Sequence, residues 1–170
     1  VTRDTFTVFY NWAYTGIVMD SYNKSDVDLS CLDITNIYEF VDFHVVPQSK
    51  NKALELYFMK DVKDWVVSFV NTAELYEKTP ESSSLRRLHV DFLLETSDFD
   101  TWRTSLEDLP KDFVADLFDR CREREVVPGS CFGTLQKGGI AAWIKGKSIN
   151  FCKMYHEHQE PESRRIIDLS

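Results

Sequence analysis

The chain has 170 residues, enough to bury a substantial core in one domain or in a domain with an appendage. Its formal net charge of −8 argues against a binder of phosphate backbones, because that affinity depends on Lys and Arg neutralising phosphates. No apolar run approaches the ~20 residues that a bilayer-spanning helix needs, and the longest, Trp65 to Val70, is interrupted by Ser68.

The unusual feature is the aromatic content of 14%: 12 Phe, 7 Tyr and 4 Trp must either fill a core or anchor a partner. The four cysteines, Cys31, Cys121, Cys131 and Cys152, are too sparse for a disulfide framework. Reduced thiols and an intracellular setting, cytoplasmic or nuclear, are therefore expected.

Thr2 to Tyr14 reads as a helix capped by Thr2 or Asp4, with Phe6, Phe9 and Ala13 in one row, Val8 and Trp12 in the next, and Gly16 as a left-handed stop. Two adjacent apolar rows predict burial on a broad face. Ile17 to Met19 fits a short strand, and Asp20 to Ser30 a polar surface loop. Asp33 is the expected cap of the next helix, where Ile34, Ile37, Tyr38, Val41 and Val45 recur at helical spacing. Pro47 breaks that period, pushes Val46 out of helical geometry and opens a second helix, with Leu54, Tyr57 and Phe58 inward and Lys50 and Glu55 elsewhere. Phe40, Phe43 and Leu56 widen the apolar face, so this hairpin is the expected organising centre, covered on more than one side.

Val62, Val66, Phe69, Val70, Ala73 and Tyr76 predict one long amphipathic helix. Thr79-Pro80 ends it, and Ser82 to Ser84 cap the helix of Leu85, Leu88, Phe92 and Leu93. A short turn surrounds Trp102. Pro110 then opens a helix with Phe113, Val114, Leu117, Phe118 and Cys121 on one face and Asp112, Asp116 and Asp119 on the solvated side. Val126 to Gly129 closes the helical region. The stretch 129–146 holds five of the six Gly and reads as looser, with short helices at 140–144 and 149–155 and a tail at 159–170.

The run Trp12-Ala13-Tyr14-Thr15-Gly16, a polar loop, and then IYEFVDFHVVPQSKNKALELY resembles the C-terminal half of a BTB/POZ domain over roughly residues 3 to 60. YEKTPESSSLRRLHVDFL, LPKDFVADL and FCKMYHEH resemble the helical extension that follows the core in fungal members. The resemblance implies a mainly α fold, a helical bundle with little or no sheet, divided as 1–60, 61–127, 128–158 and the tail. It also implies a non-enzymatic protein-interaction module. The expected partners are proteins: a second copy, another BTB-type chain or, less favoured, a cullin for which the chain would act as substrate adaptor. Interface candidates are Phe6, Phe9, Trp12, Tyr14, Val18, Met19 and Asp20, the last three being the nearest match to the family's apolar-x-acid triplet. A complete domain of that family has a preceding half that supplies most of its dimer interface. This sequence starts beyond that half, which predicts an apolar face left for a partner.

Among candidate chemistries, Cys121, Cys131, Cys152, His156 and His158 hold enough N and S donors for zinc, and Cys152 and His156 share a helix face. No Cys-x-x-Cys knuckle is present, so structural cysteines, surface histidines and no cofactor are the favoured reading, with a small zinc-stabilised domain as the alternative. Gly139 to Ser148 lacks the glycine spacing of a phosphate loop. His44 and His89 read as core or boundary histidines satisfied by backbone carbonyls, with no nucleophile to pair.

Overall fold

The computed structural model describes residues 3–15, 29–64, 69–130, 135 and 139–158. Among the described residues eight α-helices succeed one another without a strand: α1 Arg3–Thr15, α2 Cys31–Phe43, α3 Pro47–Asp64, α4 Thr72–Lys78, α5 Ser84–Thr96, α6 Phe99–Ser105, α7 Lys111–Arg124 and α8 Ile140–Tyr155. The chain is thus mainly α, as the periodicities predict. The strand expected at Ile17 to Met19, the Gly16 stop and the tail at 159–170 lie outside the described residues.

Ser30, not Asp33, caps α2. The Ser30 hydroxyl accepts from the Asp33 amide at 3.1 Å, and the Asp33 carboxylate accepts from the Ser30 amide at 3.0 Å, so Asp33 is the returning partner of a capping box. At the other end of α2, the Val45 amide donates to the Asp42 carbonyl at 3.1 Å and the Val46 amide to the Val41 carbonyl at 3.0 Å. That pair of bonds is a Schellman closure, and it puts Val45 at φ 54°, where glycine is the usual occupant. Pro47 opens α3, as predicted. Ile34, Ile37, Tyr38 and Val41 then pack against Ala53, Leu54, Tyr57 and Phe58, all buried.

The most enclosed element is not this hairpin but α5, whose residues are all buried except Arg87. It packs on α3, α7 and α8 and closes over the apolar hairpin face. Its charged and imidazole side chains are inside because they find partners. Arg86 lies over the Tyr76 ring at 4.3 Å and donates to the Tyr76 carbonyl at 2.7 Å and to Thr79, so a cation closes the C-terminal end of α4. His89 sits between two hydroxyls, Tyr57 at 3.0 Å from Nδ1 and Thr72 at 2.9 Å from Nε2, rather than on a carbonyl.

Asp91 and Glu95 join three helices. Arg120 of α7 binds Asp91 through two nitrogens, at 2.6 and 2.8 Å, Arg124 adds a third contact at 3.2 Å, and Tyr155 of α8 donates to it at 2.7 Å. Burial alone would raise the Asp91 carboxyl; the bonds from Arg120 and Tyr155 and the charge of Lys147 outweigh it and hold the group below the usual carboxylate range. Glu95 accepts from Trp143 at 2.6 Å and Lys147 at 2.8 Å, both on α8, and pairs with Arg124.

Several expectations are corrected. No single helix runs from Val62 to Tyr76: α3 ends at Asp64, a 3-10 turn covers Phe69–Asn71, and α4 begins at Thr72. The turn has a packing cause, since Phe69 meets Trp102 edge-on at 5.0 Å while the Thr72 hydroxyl is drawn to His89; Ala73 faces solvent. The two short helices expected around Gly146 are one helix, α8, whose middle is held to α5 by Trp143 and Lys147. Phe118 is 64% exposed because the buried row of α7 is Phe113, Leu117 and Cys121 alone. Asp116, expected in solvent, is partly buried and accepts from the Tyr76 hydroxyl at 2.8 Å.

Candidate functional site

At one end of the molecule aromatic rings run across the surface from α1 to the α2–α3 corner. Val8 of α1 is buried against the hairpin, which leaves the next positions around the helix at the rim. Phe9 packs on Phe40 at 5.1 Å with Trp12 beside it at 6.0 Å. From there the rings continue outward: Tyr10 to Phe6 at 6.2 Å, Phe6 to Phe40 at 6.0 Å, Phe40 to His44 at 4.4 Å and His44 to Phe43 at 5.2 Å. Phe6 and Tyr10 are about half exposed, Phe43 is 82% exposed and Val45 77% exposed. The broad burial predicted for α1 is therefore incomplete, and Phe43, expected in the core, is at the surface because α2 ends there and the chain turns away.

Of the interface candidates, Phe6, Phe9 and Trp12 belong to this patch. Tyr14 lies on α1 with its side chain outside the described residues, and Val18, Met19 and Asp20 are likewise outside them, as is the triplet a cullin link would use. Sequence reading missed Tyr10, Phe43, His44 and Val45. For Phe43, His44 and Val45 the available signal was their place beside a helix end and the Pro47 corner, where an apolar row outruns the surface that can cover it.

Near the same corner, α8 terminates against the start of α3 and brings Cys152, His156 and His158 together, with their candidate donor atoms all within 4.8 Å of one another. The Cys152 sulfur is 3.2 Å from His158 Nε2. His156 is the first residue beyond α8, its amide still bonded to the Cys152 carbonyl at 3.2 Å, so a last helical turn sets the two side chains side by side. Its Nε2 is buried and makes no hydrogen bond; the nearest acid is Glu55, at 3.5 Å. Burial lowers the His156 pKa, the neighbouring His158 adds to that, and Glu55 opposes it.

The segment after α8 is pinned from α3. Asn51 donates to the Glu157 carbonyl at 3.0 Å and accepts from the Glu157 amide at 2.9 Å, and Lys50 binds the Glu157 carboxylate at 2.6 Å. Of the other zinc candidates, Cys121 is buried in the α7 row and not in this cluster, and Cys131 lies outside the described residues.

A surface pocket of about 380 Å³ between α5 and α7 is lined by Arg86, Arg87 and Arg120 but also by Glu81, Asp116, Asp119 and Glu123. With acids outnumbering arginines and Arg120 already bound to Asp91, it offers no net attraction for an anion. No protein-family model, curated protein or solved structure matches the chain. Among the described residues no helix is long and apolar enough to cross a membrane.

Proposed function

We propose that the chain is a protein-interaction module that associates with a second copy of itself through the aromatic patch of α1 and the α2–α3 corner, a role of the kind that its resemblance to BTB/POZ domains implies. The observation that carries this reading is the continuous run of rings from Tyr10 to Phe43, all exposed except the half-buried Phe40 that joins them. Aromatic side chains give large contact area for little lost rotamer freedom and dominate the centres of interfaces. Val45 adds to it: a β-branched residue in the left-handed region is strained, and here its side chain is displayed to solvent beside Phe43 rather than packed.

The apolar character of the patch, not the charge, favours a second copy over a basic partner as occupant. A second copy supplies an equal face of rings, and the net charge of −8 on each chain opposes the encounter, so association should strengthen with salt. A cullin-linked role depends on residues outside those described, and nothing at the patch favours it.

Light scattering over a concentration series tests the proposal. Wild type moves from the mass of one 19.9 kDa chain toward twice that as concentration rises. Phe43→Glu abolishes the shift, while Phe118→Glu, also solvent-facing but on α7, leaves it intact. A wild-type monomer at every concentration, or equal behaviour of the two variants, would overturn it.

A further inference from the structure

The structure assigns a metal site to the end of α8: we infer that Cys152, His156 and His158 bind a zinc ion. This inference is independent of self-association at the aromatic patch. Three observations carry it. The donors are a thiol and two imidazoles, a set that suits zinc and not the oxygen-seeking calcium or magnesium. Their spacing is close to what an ion demands. Zinc bond lengths of about 2.3 Å to sulfur and 2.0 Å to nitrogen, held tetrahedrally, put donors roughly 3.3–3.6 Å apart. The Cys152 to His158 distance of 3.2 Å is just below that range, and the remaining donor distances, within 4.8 Å, need to shorten by little more than about 1 Å.

The third observation is His156 itself. Its side chain is only 10% exposed and its Nε2 is buried without a hydrogen bond, an arrangement that is costly for a polar atom with nothing to bind. The nearest carboxylate, Glu55, is 3.5 Å from that nitrogen without hydrogen-bonding it, and its other oxygen is bound to Lys52 at 2.9 Å, so Nε2 stays open to an ion.

The site is also preorganised. Asn51 holds the backbone of Glu157 from both sides, so His156 and His158 are presented from a fixed segment rather than a free end. Sequence spacing disfavoured zinc because it looked for a knuckle of paired cysteines. A helix end followed by an extended turn delivers Cys-x3-His-x-His without one. Three protein ligands leave a fourth position for water, as in open zinc sites.

Cobalt(II) reports both the ligands and the geometry. Titrated into chelator-stripped full-length protein, it should bind at one equivalent, with a thiolate charge-transfer band in the near ultraviolet and the strong visible bands of a tetrahedral ion; one equivalent of zinc should bleach them. Cys152→Ser removes the charge-transfer band and His158→Ala, at an exposed position, weakens cobalt binding at least tenfold, while Cys31→Ser changes neither. Circular dichroism confirms that each variant is folded. Absence of stoichiometric binding by wild type, or a thiolate band that survives Cys152→Ser, overturns the assignment.

Discussion

Two buried groups set opposing pH responses. His89 is enclosed by hydroxyls and faces no carboxylate, so burial lowers its pKa to about 4. The unfolded chain takes up that proton near 6.5, and stability is therefore lost as pH falls from 6.5 to 4. Asp61 is buried beside the Cys31 thiol, 3.6 Å away, and burial, with Asp64 adding, raises its carboxyl to about 7. The unfolded chain releases that proton near 3.9, so this contribution is lost as pH rises from about 4 to 7. Each slope is at most ~1.4 kcal/mol per pH unit, and between pH 4 and 6.5 they oppose. Urea midpoints measured across that window should show, relative to wild type, a steeper loss on acidification in Asp61→Asn and a shallower one in His89→Gln. Displacements of the same sign in both variants would contradict these protonation states. The enclosure of His89 was legible in its apolar neighbours. Its partners were not, because Tyr57 and Thr72 lie 32 and 17 residues away and only the folded packing chooses hydroxyls over carbonyls.

Helices were legible wherever a cap or breaker marked them, as at Ser83 and Pro47, and misread where glycine was taken for a breaker. Gly146 lies inside α8, and a Cβ built there meets nothing within 4 Å. Gly146→Ala should accordingly stabilise the fold by up to ~1 kcal/mol. Val45 is the converse case, a branched side chain where the Schellman closure favours none. Relief of the left-handed strain, about 1–2 kcal/mol, exceeds the added freedom of the unfolded chain, about 0.5–1 kcal/mol, so Val45→Gly should stabilise by several tenths of a kcal/mol. Thermal melts of dilute protein read both gains. Only Val45→Gly should weaken self-association, since Gly146 is far along the chain and outside the patch. A lower melting temperature for either variant would contradict the backbone argument.

The all-helical architecture follows from periodicity, but the placement of α5 at its centre does not. Arg86, His89, Asp91 and Glu95 give that helix the sequence of a surface element, and only the partners brought by α4, α7 and α8 make their burial tolerable. Asp91→Asn would remove one counter-charge from Arg120 and Arg124, which are partly exposed and keep Glu123 and Glu95, at an expected cost of ~1.5–3 kcal/mol, a sizeable share of the ~5–15 kcal/mol that holds a typical domain. Urea denaturation measures it, and a loss below ~1 kcal/mol would show that the network is dispensable. The same cluster bears on the order of folding. Arg120 and Tyr155 stand 29 and 64 residues from Asp91, so its charge is matched only when α7 and the last turn of α8 have both docked. Contacts of that sequence separation are expected to form late, so removing this one should accelerate unfolding while leaving the refolding rate nearly unchanged. On that order of events, the docking of α8 would set the lifetime of the folded chain.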